Sequence, residues 1–170
     1  MAGTTDDQAA FTRWAADRQL ALLRTAVLLT GDRQRAEDLV QEALAKVAAR
    51  WRQLSDGSPE AYARQILVRD NISWWRRHRR EVVADIPVDS VAVDDGGAGF
   101  DRRWLLDQAL ARLTPRQRAV VVLRYYDDLS ERSTADLLGV SVGTVKSQSH
   151  VALGRLREAA PELVELLEDL

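Results

Sequence analysis

Apolar residues recur at helical spacing along most of the chain. Between residues 33 and 51 they fall on one stripe, separated by steps of three and one: Ala36, Leu39, Val40, Ala43, Leu44, Val47, Ala48 and Trp51. Such steps place side chains on one face of an α-helix. Residues 8–29, rich in Ala, Leu and Arg, and residues 102–160 follow helical patterns as well. The pattern predicts an all-α protein.

Capping residues mark where the helices begin. Asp32 follows a Thr-Gly stop and is placed to cap the helix that carries the stripe. Ser58 precedes Pro59, which is the usual order at a helix start. Thr114 and Gln117 have the spacing of a capping box.

The segment 83–101 breaks the helical pattern. It contains Pro87, three glycines and five aspartates, so we interpret it as a flexible acidic linker. Its weak alternation of Val and Asp would also fit one strand, but no partner strand is predicted. The linker divides the chain into two small helical domains, 1–82 and 102–160, followed by an acidic tail, 161–170.

The net charge of −2 hides a block pattern. Domain 1–82 carries +3, the linker −5, residues 102–157 +5 and residues 158–170 −5. Blocks of opposite sign indicate separate surfaces for separate partners.

The second domain contains the pattern of a helix-turn-helix. Ser130 caps a short helix that ends before Gly139, and Ser141 caps the next helix. The small Ala135 allows the two helices to cross closely, while Val145 packs back from the second one.

The second helix of this pair has two faces. Its apolar face predicts burial of Val145, Ala152, Leu153 and Leu156. Its polar face carries side chains able to contact bases or phosphates: Thr144, Lys146, Ser147, Gln148 and His150. A helical hairpin with a merely solvated polar face is the alternative, and for His150 a solvated or packing role fits equally well.

Two further surfaces lie in the first domain. An acidic and amide stripe follows one helix face, at Glu37, Asp38, Gln41 and Glu42; such a stripe is usually solvated. The second surface is the stretch N-I-S-W-W-R-R-H-R-R, residues 71–80. Tryptophan beside arginine suits stacking and phosphate contact with single-stranded nucleic acid, although both tryptophans could simply close the core.

Composition excludes several function classes. The chain of 170 residues has 46% apolar residues, no cysteine and two histidines. It therefore has no disulfide or thiolate metal site, and no constellation of nucleophile, base or metal ligands indicates an enzyme or a cofactor. No apolar run spans a bilayer and no signal peptide is evident, so we expect a soluble cytoplasmic protein without a small-molecule substrate.

Four motifs, in order, resemble those of bacterial RNA polymerase sigma factors of the extracytoplasmic-function class. They are G-D-R-Q-R-A-E-D-L-V-Q-E-A-L, Y-A-R-Q-I-L-V-R-D-N-I-S-W-W-R-R, L-T-P-R-Q-R-A-V-V-V-L-R-Y and S-V-G-T-V-K-S-Q. The similarity covers about residues 8–158 and is strongest to the sigma-E-like subfamily. It implies a subunit that binds core RNA polymerase and directs promoter-specific transcription initiation, while the polymerase performs the chemistry.

The resemblance assigns a role to each surface. The acidic stripe would dock on the clamp helices of the largest polymerase subunit, and the second domain on the flap. A minus-ten surface that aids promoter melting would comprise Ser55, Asp56, Ser58, Tyr62, Arg69, Asn71, Trp74, Trp75, Arg76, Arg77, Arg79 and Arg80. A minus-thirty-five surface would comprise Ser141, Thr144, Lys146, Ser147, Gln148, His150 and Arg155. An anti-sigma factor, common in the class, would cover the docking stripe.

Some positions depart from the family pattern. Arg69 stands where asparagine is frequent, and Gln148 and Val151 stand where many relatives carry arginine. These departures imply altered promoter preference. In the family the linker threads toward the polymerase cleft, which suits its acidity. The low net charge predicts weak DNA binding by the free protein, with polymerase unmasking recognition.

Two competing functions remain open at this point. A stand-alone helix-turn-helix regulator would bind DNA without polymerase, usually as a dimer. It leaves the acidic stripe and the Trp-Arg stretch unexplained. A small helical enzyme or scaffold would require a pocket with converging titratable groups.

Overall fold

A computed structural model describes residues 2–79 and 98–161 of the chain. The first part comprises α1 (Ala2–Thr30), α2 (Arg33–Ala49), the short α3 (Trp51–Leu54) and α4 (Pro59–His78). The second comprises α5 (Ala98–Ala111), α6 (Pro115–Val121), which continues as a π-helical turn over Val122–Tyr126, α7 (Glu131–Leu138) and α8 (Val142–Ala159). The all-α prediction is confirmed.

The predicted helix starts are present as hydrogen-bonded caps. The Asp32 carboxylate accepts from the Arg35 amide at 2.7 Å, and the Ser58 hydroxyl accepts from the Ala61 amide at 3.2 Å. Thr114 and Gln117 form both bonds of a capping box. Each cap satisfies backbone donors that a helix start otherwise leaves unpaired.

The end of the predicted linker differs from the structure. Helix α5 begins at Ala98, within the segment 83–101. Residues 83–97 and 162–170 lie outside the described residues, as does Arg80, so the remaining predictions for the linker and the tail concern a part of the chain that the structure leaves undescribed.

Helices α7 and α8 form the predicted helix-turn-helix. Gly139 ends α7 with φ +67°, a left-handed conformation that favours glycine. Ser141 caps α8 by accepting from the Thr144 amide at 3.1 Å. Ala135 and Val145 are both buried, as the close crossing of the two helices requires.

The helical stripe of α2 forms much of the core of the first half. Ala36, Leu39, Val40, Ala43, Val47 and Trp51 are buried against α1 and α4. Ala48 is exposed and Leu44 is half-buried, so the stripe is narrower at its end than predicted. In α8, Leu153 is half-buried rather than buried.

The two halves share one hydrophobic core. Leu67 of α4 belongs to the same buried cluster as Ala119, Val122 and Leu123 from α6 and its continuation, and Leu137 from α7. Buried residues of α5, α6 and α8, such as Leu110 and Leu156, form a second cluster. The predicted domains are therefore packed against each other over α4, α6 and α7.

Buried polar groups also connect the two halves across the contact between them, the seam. Asp127, whose side chain is 5% exposed, accepts from the Thr25 hydroxyl at 2.8 Å and from Arg64 Nε at 3.1 Å. Arg118 donates through Nε to the carbonyl of Leu28, near the end of α1. A cation there complements the negative end of the helix dipole.

Candidate functional site

The acidic stripe of α2 lies on a face that no other described helix covers. Helix α2 packs against α1 and α4 through its apolar side, while Asp38, Gln41 and Glu42 are exposed and Glu37 is half-buried. The residues are spaced by one, three and one positions, so they share a face. The stripe is thus accessible as one anionic surface.

Neighbouring cations already orient parts of this stripe. Arg33 Nε lies 2.8 Å from Glu37, and Lys46 Nζ lies 2.9 Å from Glu42 and 2.7 Å from Asp70. Hydrogen bonds to Asp70 and Glu42 raise the pKa of Lys46. Solvent-accessible ion pairs of this kind contribute little to stability.

The loop between α3 and α4 carries the first predicted minus-ten residues. Ser55, Asp56 and Ser58 are exposed, and Tyr62 is half-buried with the Arg50 guanidinium 5.5 Å from its ring centre. Trp51 lies shortly before the loop in the chain. Its ring centre lies 5.5 Å from that of Phe11 and 5.6 Å from that of Trp14. The polar loop therefore follows shortly after a residue held in an aromatic cluster.

The Trp pair is held at the end of α4. Trp74 stacks on His78 at 4.3 Å, and the Arg35 guanidinium lies 3.4 Å from its ring centre. Trp75 meets Trp74 edge-on at 5.3 Å. The ring of Trp74 is therefore engaged by three neighbouring side chains. Among the described residues, Trp75 has fewer such neighbours, since its ring meets only Trp74 and, at 5.4 Å, the Arg35 guanidinium.

Asn71 is placed differently from the prediction. It is 2% exposed, its amide donates to the Leu29 carbonyl at 3.1 Å, and its oxygen accepts from Arg35 at 3.0 Å. Burial lowers the pKa of Arg35 to about 10. Because both ends of the Asn71 amide are used inside the protein, this residue lies in the core rather than on the predicted minus-ten surface.

The predicted minus-ten arginines that the structure describes lie at the surface. Arg69, Arg76, Arg77 and Arg79 are exposed, whereas Arg80 is outside the described residues. The side chain of Arg69 reaches the turn of the helix-turn-helix: its Nη2 lies 3.7 Å from where a Cβ on Gly139 would be. These arginines form a cationic edge on the first half.

The polar face of α8 divides into two parts. Lys146, Ser147 and His150 are exposed, while Thr144 and Gln148 are half-buried where α8 approaches α4. Lys146 lies 3.7 Å from Glu131, and Arg155 donates to Gln117 at 2.8 Å. Ser141 is the helix cap, so its hydroxyl already has a structural role.

A cavity of about 260 Å³ separates the two predicted DNA surfaces. Arg69 and Arg76 of α4 line it together with Thr144 and Gln148 of α8. The minus-ten and minus-thirty-five residues at this seam therefore face each other in the packed form.

Sequence reasoning did not single out Arg35, Arg50 or Arg116. Arg35 stacks on Trp74, Arg50 lies over Tyr62, and Arg116 lines the seam cavity. Only their positive charge distinguishes them in the sequence, because their aromatic or cationic neighbours lie on other helices.

None of the helices in the described part of the chain is long and apolar enough to cross a membrane. Within the same residues, no cluster of three or more histidine or carboxylate side chains could hold a metal ion.

Comparison with known families gives two matches. Residues 10–81 match the family model for sigma-70 region 2, and residues 103–156 match the one for sigma-70 region 4. The gap between the matches coincides with the predicted linker. The first match carries the acidic stripe and the Trp pair, and the second carries the helix-turn-helix.

Individual relatives agree with these matches. The chain is 41% identical over 149 residues to RNA polymerase sigma-E factor of Streptomyces coelicolor, covering 87% of this chain and 84% of that protein. It is 35% identical to the extracytoplasmic-function sigma factor SigL of Mycobacterium tuberculosis, covering 96% of each. Among solved structures it resembles the sigma factor RpoE of Bartonella quintana in complex with the anti-sigma factor NepR, with a TM-score of 0.74, 29% identity, and coverage of 90% and 98%.

Proposed function

Since the chain belongs to the sigma-70 family, as an extracytoplasmic-function RNA polymerase sigma factor, we propose that its surfaces divide the steps of promoter-specific initiation among them. The α2 stripe docks on a basic surface of core polymerase, the α3–α4 loop and the cationic edge of α4 engage the minus-ten element, and α8 engages the minus-thirty-five element. The polymerase carries out phosphoryl transfer in the cytoplasm.

The observation that carries the docking step is the uncovered anionic face of α2. Three of its four residues are exposed and none is buried in the fold. Complementary charge steers encounter and fixes orientation. A partner with a row of cationic side chains, as the family resemblance implies for the clamp helices, fits this face.

The DNA steps draw on different chemistry. On α4, exposed guanidiniums and Trp75 supply phosphate contacts and a stacking surface for a melted strand. On α8, Lys146, Ser147 and His150 supply donors and acceptors suited to the major groove. Asn71 and Trp74 act beneath this surface by positioning α4.

The packed form supports a masked state of the free protein. Thr144 and Gln148 lie in the seam beside α4, and a cavity of about 260 Å³ cannot admit a duplex. Polymerase would separate the halves, because the two promoter elements must be contacted at separate places. An anti-sigma factor is a further expected partner, since the similar RpoE was solved in complex with the anti-sigma factor NepR.

A reconstituted transcription assay tests the docking step. Core polymerase with the wild-type protein should yield discrete run-off transcripts from fragmented genomic DNA. The double variant Glu37→Arg, Asp38→Arg should lose them and should no longer comigrate with core polymerase, because it reverses the charge of the stripe.

The matched control is Asp6→Arg, Asp17→Arg, which makes the same charge change at exposed positions of α1. It should transcribe normally. Equal loss in both double variants would show a general effect of charge rather than docking. Specific DNA binding by the wild-type protein alone, with no transcripts, would instead favour a stand-alone helix-turn-helix regulator.

A further inference from the structure

Three arginines from both halves converge on the seam cavity. Arg69 and Arg76 come from α4 and Arg116 from the first turn of α6. Ser73, Thr144 and Gln148 add hydroxyl and amide groups, and aliphatic side chains form the remaining walls. The lining of the cavity thus combines cationic, neutral polar and apolar side chains.

The three guanidiniums have no ion-pair partner among the described residues. By contrast, Arg64 pairs with Glu60 and Asp127, and Lys46 pairs with Glu42 and Asp70. Unpaired cations facing one cavity repel each other in the packed form. An anion placed between them would remove that repulsion and gain charge-assisted hydrogen bonds.

The size and walls of the cavity narrow the class of anion. Its volume of about 260 Å³ lies just below the range of small-molecule sites, which begins at roughly 300 Å³, so the ligand must be small. Guanidinium forks match phosphate geometry, and the apolar walls can contact a base or a sugar. A compact phosphate-bearing molecule satisfies both features.

We propose that the seam cavity binds a small phosphate-bearing anion of the nucleoside mono- or diphosphate class. Since the residues that line the site come from α4 in one half and from α6 and α8 in the other, the site is complete only when the halves are packed together. A ligand that binds the packed form more tightly than the separated form stabilises the packed form, by an amount set by the difference between the two affinities. The anion therefore favours the closed protein and competes with promoter phosphates for Arg69 and Arg76.

The binding step is tested on the full chain by isothermal titration with GMP, GDP and inorganic pyrophosphate at constant ionic strength. We expect saturable binding with one site per chain, and no comparable signal from equimolar sulfate. Arg116→Gln should weaken binding by about tenfold or more, since it removes a charge-assisted contact. Arg116 is exposed, so its replacement should leave the fold intact. It is also not one of the predicted promoter contacts.

Arg132→Gln is the matched control, because Arg132 is exposed on α7 and does not line the cavity. It should bind like the wild type. Arg69→Gln provides a second lining variant if Arg116→Gln proves unfolded by circular dichroism. Equal affinity of a folded lining variant and the control, equal binding of sulfate, or no saturable binding up to millimolar concentrations would overturn the proposal.

The consequence for transcription rests on the proposed function and needs a separate readout. The bound anion should reduce run-off transcription by the wild type more than by Arg116→Gln. If titration shows the site but no transcripts form even without the anion, the proposed function fails while the site stands. If transcripts form and titration shows no site, the proposed site fails alone.

Discussion

Gly31 and Arg118 meet where α1 turns into α2. Gly31 has φ +71°, and a Cβ added there would lie 3.2 Å from Nη2 of Arg118. Arg118 comes from the other half of the chain, and its burial lowers its pKa to about 10. A larger residue at position 31 would therefore disturb both the turn and the packing of Arg118 between the two halves.

Gly31→Ala should destabilise the protein by about 1–2 kcal/mol, because an L-residue is strained at this φ and its methyl group would press on Arg118. Gly154→Ala is the control: nothing lies within 4 Å of its added Cβ, and it lies within α8. That change should stabilise by about 0.5–1 kcal/mol. Urea unfolding of both variants measures the difference, and equal midpoints would contradict the role of Gly31.

Asp127 makes stability depend on pH. Burial raises its pKa, although Arg64 and Thr25 act in the opposite direction. Because the folded chain then holds the proton more tightly than the unfolded chain, protonation stabilises the fold. This contribution is complete below the ordinary carboxyl pKa, about 4, and is lost as the pH rises through the raised pKa of the folded state.

The stability of Asp127→Asn relative to the wild type should therefore increase as the pH rises above about 4. The size of this increase is set by how far the pKa of Asp127 is raised in the folded state. Unfolding free energies between pH 4 and pH 7.5 measure this difference. The control is Asp128→Asn, since Asp128 is exposed and its φ of +53° suits asparagine. Parallel pH profiles of Asp127→Asn and the wild type would exclude the predicted linkage.

At the scale of residues, burial of polar groups was the least predictable feature. The family resemblance assigned Asn71 to the minus-ten surface, yet its amide bonds to the carbonyl of Leu29, 42 positions away. Arg118 and its acceptor Leu28 are 90 positions apart. Contacts between distant helices of this kind have no periodic signal in the sequence.

At the scale of elements, the start of α8 is both a helix cap and part of the proposed minus-thirty-five surface. The Ser141 hydroxyl accepts from the Thr144 amide at 3.1 Å and lies 2.9 Å from the Thr144 hydroxyl. The positive end of the helix dipole lies at the same place, where a phosphate would be favoured.

Substitutions at Ser141 should separate these two roles. Ser141→Ala should cost about 1 kcal/mol, because the cap is lost. Ser141→Asp should retain the cap and most of the stability, but should weaken promoter binding by the polymerase complex through repulsion of phosphates. Thermal unfolding and filter binding measure the two effects. If Ser141→Asp bound the promoter as well as the wild type, α8 would not present its first turn to DNA.

Elements were well predicted where local chemistry determines them. The caps at Asp32, Ser58, Thr114 and Ser141 and the left-handed Gly139 need only neighbouring residues, and all were confirmed. The π-helical turn after Val121 was not predicted. It places Asp127 at the seam, so its register depends on contacts with α1 and α4 that no local pattern encodes.

At the scale of the whole molecule, the closed form rests on an apolar seam and on two buried charged groups. Apolar burial across the seam stabilises the contact but does not fix the relative orientation of the halves. Arg118 and Asp127 fix that orientation, because each reaches its hydrogen-bond partners only when the halves are correctly placed. Removing one of them should shift the balance toward the open form without dissolving either half.

Arg118→Met tests this balance, since methionine retains apolar volume but cannot donate to the Leu28 carbonyl or complement the end of α1. A compact chain of this length should have a radius of gyration of about 16 Å. We expect the wild type near that value and the variant measurably larger by small-angle scattering. We also expect the variant to bind promoter DNA more tightly than the wild type when polymerase is absent.

The control for that experiment is Arg112→Met, which removes the same charge from an exposed position outside the seam. It should keep the wild-type radius and should bind free DNA no more tightly. An enlarged radius without stronger DNA binding would show that the halves separate but that α8 is not masked by α4. An unchanged radius with tight binding in the wild type would show that the closed form does not restrain recognition, and that polymerase contributes affinity alone.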